Sequence, residues 1–268
     1  MRLYIAYFKM KFLNEMQYKV AALAGIATQF AWGFMYIMLF TAFINNSDTS
    51  SYSSSQVVTY IWLQQSFYML FAFWSVDKDI FESIVSGNLA YELTKPIKLY
   101  DIWFVKTFAL KVAKTVLRAF PIFLICTLPV LGEFSMSAPV SILAAIWFVI
   151  TMFFSTIILL SYIMIIYVIT ITAISPMGVK ITFSLIGDFF SGGLIPIPLM
   201  PDIVQTILKY TPFYYIQNIP YNIYNGYISS NLEIIKIIGI QILWIVILIM
   251  FGKFLMKNSM KKVVIQGG

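Results

Sequence analysis

Residues 139–174 run for more than the length of a membrane helix without one charged side chain. Two further uncharged stretches, 20–44 and 56–76, each reach the roughly 20 residues needed to cross a hydrocarbon core about 30 Å thick. A soluble helix must turn a polar face to water, and these stretches have none to turn. Inside a bilayer the same stretches are favoured, because a helix satisfies its backbone internally. Composition agrees. Of 268 residues, 60% are hydrophobic and 11% charged, less than half the roughly 25% of soluble domains. The fold class read from the sequence is an all-α integral membrane protein.

Six transmembrane helices are expected, at about 20–44, 56–76, 112–131, 139–169, 181–199 and 234–256, in a single transmembrane domain covering 1–268. The third carries Lys114 and Arg118 near its start, and the fifth contains Asp188. The apolar run of the fourth continues to Ile174. It reads either as one long helix or as a span with an interfacial or re-entrant piece. The first span is too long for the 7–15-residue core of a signal peptide, and Asn45, Asn46 and Ser47 make no small-residue cleavage site.

The distribution of charge supplies an orientation. With the N-terminus inside and six spans, the inside segments are 1–19, 77–118, 170–180 and 253–268. They hold 16 of the 18 basic residues against six acidic ones, an excess of +10. The outside segments carry Lys209 and Lys236 against Asp48, Glu133, Asp202 and Glu233, a balance of −2. Basic residues are retained on the cytoplasmic side during insertion, so both termini are expected in the cytosol. The positive balance of the whole chain is thereby read as orientation, and no nucleic-acid partner is expected.

Three polar regions stand out. Residues 1–19 mix Tyr4, Tyr7, Phe8 and Phe12 with Lys9, Lys11 and Lys19, as suits a helix lying in the headgroup layer. The inside loop 77–101 pairs Ile80 with Ile84 and Phe81 with Val85 at i,i+4, predicting a short amphipathic helix that stops at Gly87-Asn88. A second short segment is expected from Leu89 to Lys95. This loop is either a connector on the bilayer surface or a docking surface for a cytosolic partner. Lys111, Lys114 and Arg118, with Lys106 nearby, share one helix face. They serve as a topology anchor or as a path for an anionic headgroup.

At the outer end, residues 191–201 read SGGLIPIPLMP and residues 211–226 read TPFYYIQNIPYNIYNG. Proline removes a backbone donor and breaks helices. Irregular backbone at membrane depth survives only under cover of protein or water. Segment 191–226 therefore reads as a partly re-entrant cap, with a short helix Asp202–Tyr210. Gly192, Gly193, Pro196, Pro198, Pro212 and Phe213 are the outer-gate candidates; an interfacial aromatic belt is the plainer reading. Asp188 is the one acidic residue deep in a span, without an obvious cationic partner at its depth, and such a charge is a functional candidate by default. For Gln29, Gln64 and Gln65, interhelical hydrogen bonds are expected before substrate contact.

The sequence lacks most catalytic chemistry. Without His, and with Cys126 alone, it offers no Ser-His-Asp triad, no His-ligated or Cys-rich metal site and no internal disulfide. No phosphate-binding G-x-x-x-x-G-K-[ST] loop occurs. No catalytic residue, metal or cofactor is expected in the chain, and active transport would need energy from another protein.

With an interfacial N-terminal helix, a helical inside loop and a broken cap before the last span, the chain resembles the permease subunits of ABC-type exporters, in the six-span branch with short loops. The local features that carry the likeness are GNLAYELTKP at 87–96, SGGLIPIPLMP at 191–201, and the Pro212-Phe213…Pro220…Gly226 run. The resemblance covers nearly the whole chain. It implies that loop 77–101 holds a coupling helix seated in an ATP-binding subunit, with Asp79, Phe81, Glu82, Tyr91 and Glu92 as contacts. It implies a dimer of identical or related permeases with an ATP-binding cassette dimer, which holds the ATP and Mg²⁺. It also implies a substrate path between permeases along spans two and five, near Gln64, Gln65 and Asp188. Drugs, antimicrobial peptides, lipids and polysaccharides are cargoes of such exporters; sparse span charge favours an apolar or amphiphilic one. A bacterial inner membrane is the expected location. The competing readings are a channel or ion-coupled carrier using Asp188, and a membrane-anchored immunity or scaffold protein.

Overall fold

The computed structural model describes residues 2–45, 52–89, 92 and 97–261. The elements are α1 (Arg2–Glu15), α2 (Lys19–Asn45), α3 (Ser54–Ser66), α4 (Tyr68–Phe71), α5 (Lys78–Val85), α6 (Leu99–Cys126), α7 (Ile142–Thr172), α8 (Pro176–Phe190), α9 (Asp202–Leu208), α10 (Asn218–Tyr224) and α11 (Asn231–Met260). Tight 3₁₀ turns at Pro129–Phe134, Ile197–Leu199 and Pro212–Tyr215 link the later elements. No strand occurs among the described residues.

Helix α7 is the axis of the molecule. It is a continuous helix of 31 residues, so the long apolar run is one element with no re-entrant piece. Ser141 starts it by accepting a hydrogen bond from the Ala144 amide at 3.0 Å, satisfying one of the free first-turn donors. Every residue from Ile158 to Val168 is buried. A helix apolar on all sides can be enclosed by others, and this one is. Helix α11 packs along it. The Gln241 amide of α11 donates to Ser155 Oγ and to the Tyr215 carbonyl, both at 3.1 Å, pinning α11, α7 and the Pro212–Tyr215 turn together.

Three helices are long and apolar enough to cross a membrane: Lys19–Ile44, Ile142–Thr172 and Asn231–Met260. The other three expected spans depart from the simple pattern. The second is split at Phe67 and stops at Phe71, where Lys111 of α6 donates to the carbonyl of Ala72 and so caps the helix end. The third begins at Leu99, well before residue 112, and ends at Cys126 rather than 131. Its early turns are lysine-bearing and pack against α1, which extends the helix beyond the apolar stretch. The fifth, α8, has 15 residues. At 1.5 Å each these span about 22 Å, short of a hydrocarbon core of about 30 Å. It ends at Ser191 rather than near 199, because Gly192 takes a φ of 86° that a helix cannot continue through.

Described residues from the segments assigned inside by charge meet at one end of the molecule. There Lys11 of α1 meets Asp77 and Asp79, Tyr167 of α7 meets the amide of Asp77, and Lys253 of α11 lies 3.4 Å from Asp101. At the opposite end the Trp62 indole donates to the Phe134 carbonyl at 2.7 Å, the Asn225 amide to the Gln56 carbonyl at 3.1 Å, and the Trp147 indole to Asn231 at 3.1 Å.

Candidate functional site

The most concentrated charge in the protein surrounds Lys11. Its Nζ lies 2.9 Å from Asp77, 2.8 Å from Asp79 and 3.6 Å from Glu15. The Asp77 side chain is fully buried, so its charge depends on this partner; that of Asp79 is 72% exposed and depends on it little. Burial of Lys11 opposes its charge, but the hydrogen bond it donates to Asp79 and the charge of Asp77 outweigh that cost and hold its pKa above the ordinary lysine value.

Asp77 joins three elements. One carboxylate oxygen accepts from the amides of Asp79 at 3.0 Å and Ile80 at 3.2 Å, capping α5. The other faces Lys11 of α1. Its own amide donates to the Tyr167 hydroxyl of α7 at 2.6 Å. A displacement of α5 therefore acts directly on the interfacial helix and on the central helix. Sequence reasoning missed Lys11, Asp77 and Tyr167 as a unit. The available signal was Asp77 itself, an N-cap residue placed just before an amphipathic helix.

The coupling candidates fall in different places. Helix α5 stops where expected, with Gly87 at φ 74°. Glu82 and Val85 are exposed, together with Ser86, Gly87 and Asn88 at the helix end. Asp79 is exposed but held by Lys11. Phe81 is buried, with the Lys180 ammonium 5.2 Å from its ring centre, and supports α5 from within. Glu92 turns back onto α6, accepting from the Trp103 indole at 2.8 Å and pairing with Lys106 at 3.6 Å. Tyr91 and most of the segment Leu89–Lys95 lie outside the described residues.

Gln64, Gln65 and Asp188 do come together. They line a cavity of about 440 Å³ with Gln29, Arg118 and Gln217 among its other walls. Asp188 accepts from the Phe73 amide at 3.4 Å and makes no ion pair among the described residues. Lys111 of α6 is buried and donates to the Ala72 carbonyl. Gln64 donates to the carbonyls of Gly192 at 3.0 Å and Gly193 at 2.8 Å. These are carbonyls released where α8 breaks, so Gln64 both lines the cavity and makes the break tolerable. Gln29 donates to the Gln65 carbonyl at 3.1 Å, the expected interhelical bond.

Of the outer-gate candidates Gly193 lines this cavity, and the others lie in the chain that follows the break in α8. Gly193 donates its amide to the Asp188 carbonyl at 2.8 Å, folding the chain back over the end of α8. Pro196 and Pro198 flank and enter the Ile197–Leu199 turn, which Gln205 of α9 braces through the carbonyls of Pro198 at 3.3 Å and Met200 at 2.8 Å. Helix α9 ends at Leu208, two residues before the expected Tyr210. Pro212 opens the next turn, and the Phe213 ring packs at 5.2 Å from Tyr162, 6.1 Å from Phe190 and 6.4 Å from Phe73. The cap is thus anchored into the core by an aromatic cluster, which a surface belt alone would not require.

The chain is thus a multi-pass helical membrane protein with a mostly apolar cavity that also exposes Asp188, Arg118 and four glutamines, and with a charged hub at one end. The family model for ABC-2 family transporter proteins matches residues 30–267, most of the chain, and the protein belongs to that family. It is accordingly the membrane permease component of an ABC transporter and works with an ABC ATPase. No curated protein matches the chain.

Proposed function

We propose that this permease is the membrane half of an ATP-driven exporter that moves an apolar or amphiphilic molecule outward, such as a drug, an antimicrobial peptide or a lipid. The observation that carries the reading is the Asp77 junction, which links α5 to α1 and α7 by buried polar contacts. ATP and Mg²⁺ reside in the partner ATPase, whose closure pushes on α5. Glu82 forms the exposed contact, Asp79, Phe81 and Glu92 hold the surrounding surface in place, and Tyr91, outside the described residues, is a further candidate contact. The chain crosses a bacterial inner membrane six times with both termini in the cytosol. The split α3–α4, the basic α6 and the short α8 supply the three crossings that length and hydropathy alone do not reveal.

Two permeases, identical or related, assemble with two ATPase subunits, and the substrate moves past Gln64, Gln65 and Asp188. Gly192, Gly193, Pro196, Pro198, Pro212 and Phe213 form the outer gate. The family ATPase should co-purify with the chain in mild detergent. The Glu82→Arg variant should insert normally, retain less ATPase and abolish transport. Transport that persists in this variant removes the coupling assignment. Transport that survives ATP depletion but is lost in Asp188→Asn replaces the proposal with an ion-coupled carrier.

A further inference from the structure

Arg118 of α6 is a half-buried cation with no hydrogen bond or ion pair among the described residues. A guanidinium carries five donors and holds its charge throughout the physiological range. Leaving it unmatched at membrane depth is costly, so such groups mark ligand sites. It lies against Gly25, where a methyl group would collide with the guanidinium. Gly25 is six residues beyond the start of α2, about 9 Å along the helix. That places Arg118 near the start of α2, at the α5 end.

A second cavity, of about 320 Å³, opens there between α1, the start of α2, α5 and α6. Its ionisable lining is Lys11, Glu15, Lys78, Asp79, Lys114 and Arg118. Lys11 occupies both acidic residues, along with buried Asp77 behind them. Lys114 makes a long bond, 3.4 Å, to Ser75 Oγ; Glu15 and Asp77 attract it, and Arg118 one helical turn away repels it more weakly. An anion between the two would relieve that repulsion and use the idle donors. Exposed Val20 and Leu23 on α2, and Val116 and Phe120 on α6, keep the outer faces of the flanking helices apolar, as acyl chains require.

We propose that this cavity binds an anionic glycerophospholipid of the adjacent leaflet, with its phosphate between Arg118 and Lys114. Basic pockets between membrane helices recognise lipid headgroups through this chemistry. Arg118 borders both this cavity and the one proposed as the transport path, whereas Lys114 lines this cavity and not the other; binding is measured without transport.

The test uses the purified full-length protein in detergent micelles with a fluorescent-tailed phosphatidylglycerol as probe. Wild type should bind it, and Lys257→Gln, a charge control on α11, should bind equally well. Arg118→Gln should bind about tenfold or more weakly, the size of one lost charge-assisted hydrogen bond. Gly25→Ala keeps every charge but displaces the guanidinium, a flexible side-chain end, and should weaken binding too. It carries the test if Arg118→Gln does not fold. Unlabelled phosphatidylglycerol should displace the probe, whereas diacylglycerol of the same chains and millimolar inorganic phosphate should not. Undiminished binding in a folded Arg118→Gln or Gly25→Ala overturns the proposal. So does an equal loss in Lys257→Gln, or displacement by diacylglycerol or by inorganic phosphate.

Discussion

Replacing Lys11 by Met keeps the helix and most of the side-chain volume but removes the only cation within 4 Å of the buried Asp77 carboxylate among the described residues. Breaking a buried pair by removing one partner costs about 3–5 kcal/mol, because the other charge is left uncompensated. The exposed partner Asp79 adds at most about 1 kcal/mol. Asp77→Asn is milder: asparagine still caps α5, and Lys11 retains Asp79 and Glu15. It should cost about 1 kcal/mol. In the double variant no buried charge is stranded, so the losses should not add, leaving a coupling energy of about 2 kcal/mol. Unfolding by sodium dodecyl sulfate titration in mixed micelles measures all four corners of this cycle. Strict additivity within about 0.5 kcal/mol would refute the view that Asp77 depends on Lys11 for its charge. If α1, α5 and α7 move together through this junction, transported substrate per ATP should fall more than ATPase activity in Lys11→Met.

Further outcomes follow from the same geometry. Because the Lys11 pKa is raised, its stabilising contribution is complete below the ordinary lysine value of about 10.5 and fades only as pH rises through the still higher folded value. The stability difference between wild type and Lys11→Met should therefore be flat from pH 7 to pH 9, as about 10.5 lies beyond that window; equilibrium unfolding across the range checks it. Gly187→Ala places a methyl group inside the Phe73 ring contact and should cost about 1–3 kcal/mol, read as lower folded yield and detergent stability. Gln64→Leu leaves the Gly192 carbonyl without its side-chain donor and should cost about 1–3 kcal/mol. Loosening should concentrate in the cap, with faster hydrogen exchange at 192–200 and little change in α11.

Much of the architecture was legible from charge alone. The uncharged stretches 20–44 and 139–174 located α2 and α7, and the apolar run between Lys236 and Lys253 located α11, because a bilayer-spanning helix needs only length and apolarity, both local properties. The Gly-Gly and proline run marked the break after Phe190, since backbone restriction is also local. Other features were not readable. Splitting of the second span at Phe67 has no proline or glycine to announce it, and its end at Ala72 is capped by a lysine 39 residues away. Among the coupling candidates, burial of Phe81 and the inward turn of Glu92 depend on what α8 and α6 place beside them.

The sequence by itself determined that this chain enters a membrane and where its backbone cannot stay helical. These follow from transfer free energies and dihedral limits, which act residue by residue. Only the tertiary structure decided which polar groups meet. It brought Lys11 to Asp77 across 66 positions, Gln64 to the carbonyls of a broken helix, and Lys111 to the carbonyl that ends α4. In a low-dielectric interior each such group must find a partner, and the partner is chosen by how the helices pack, which no local pattern encodes.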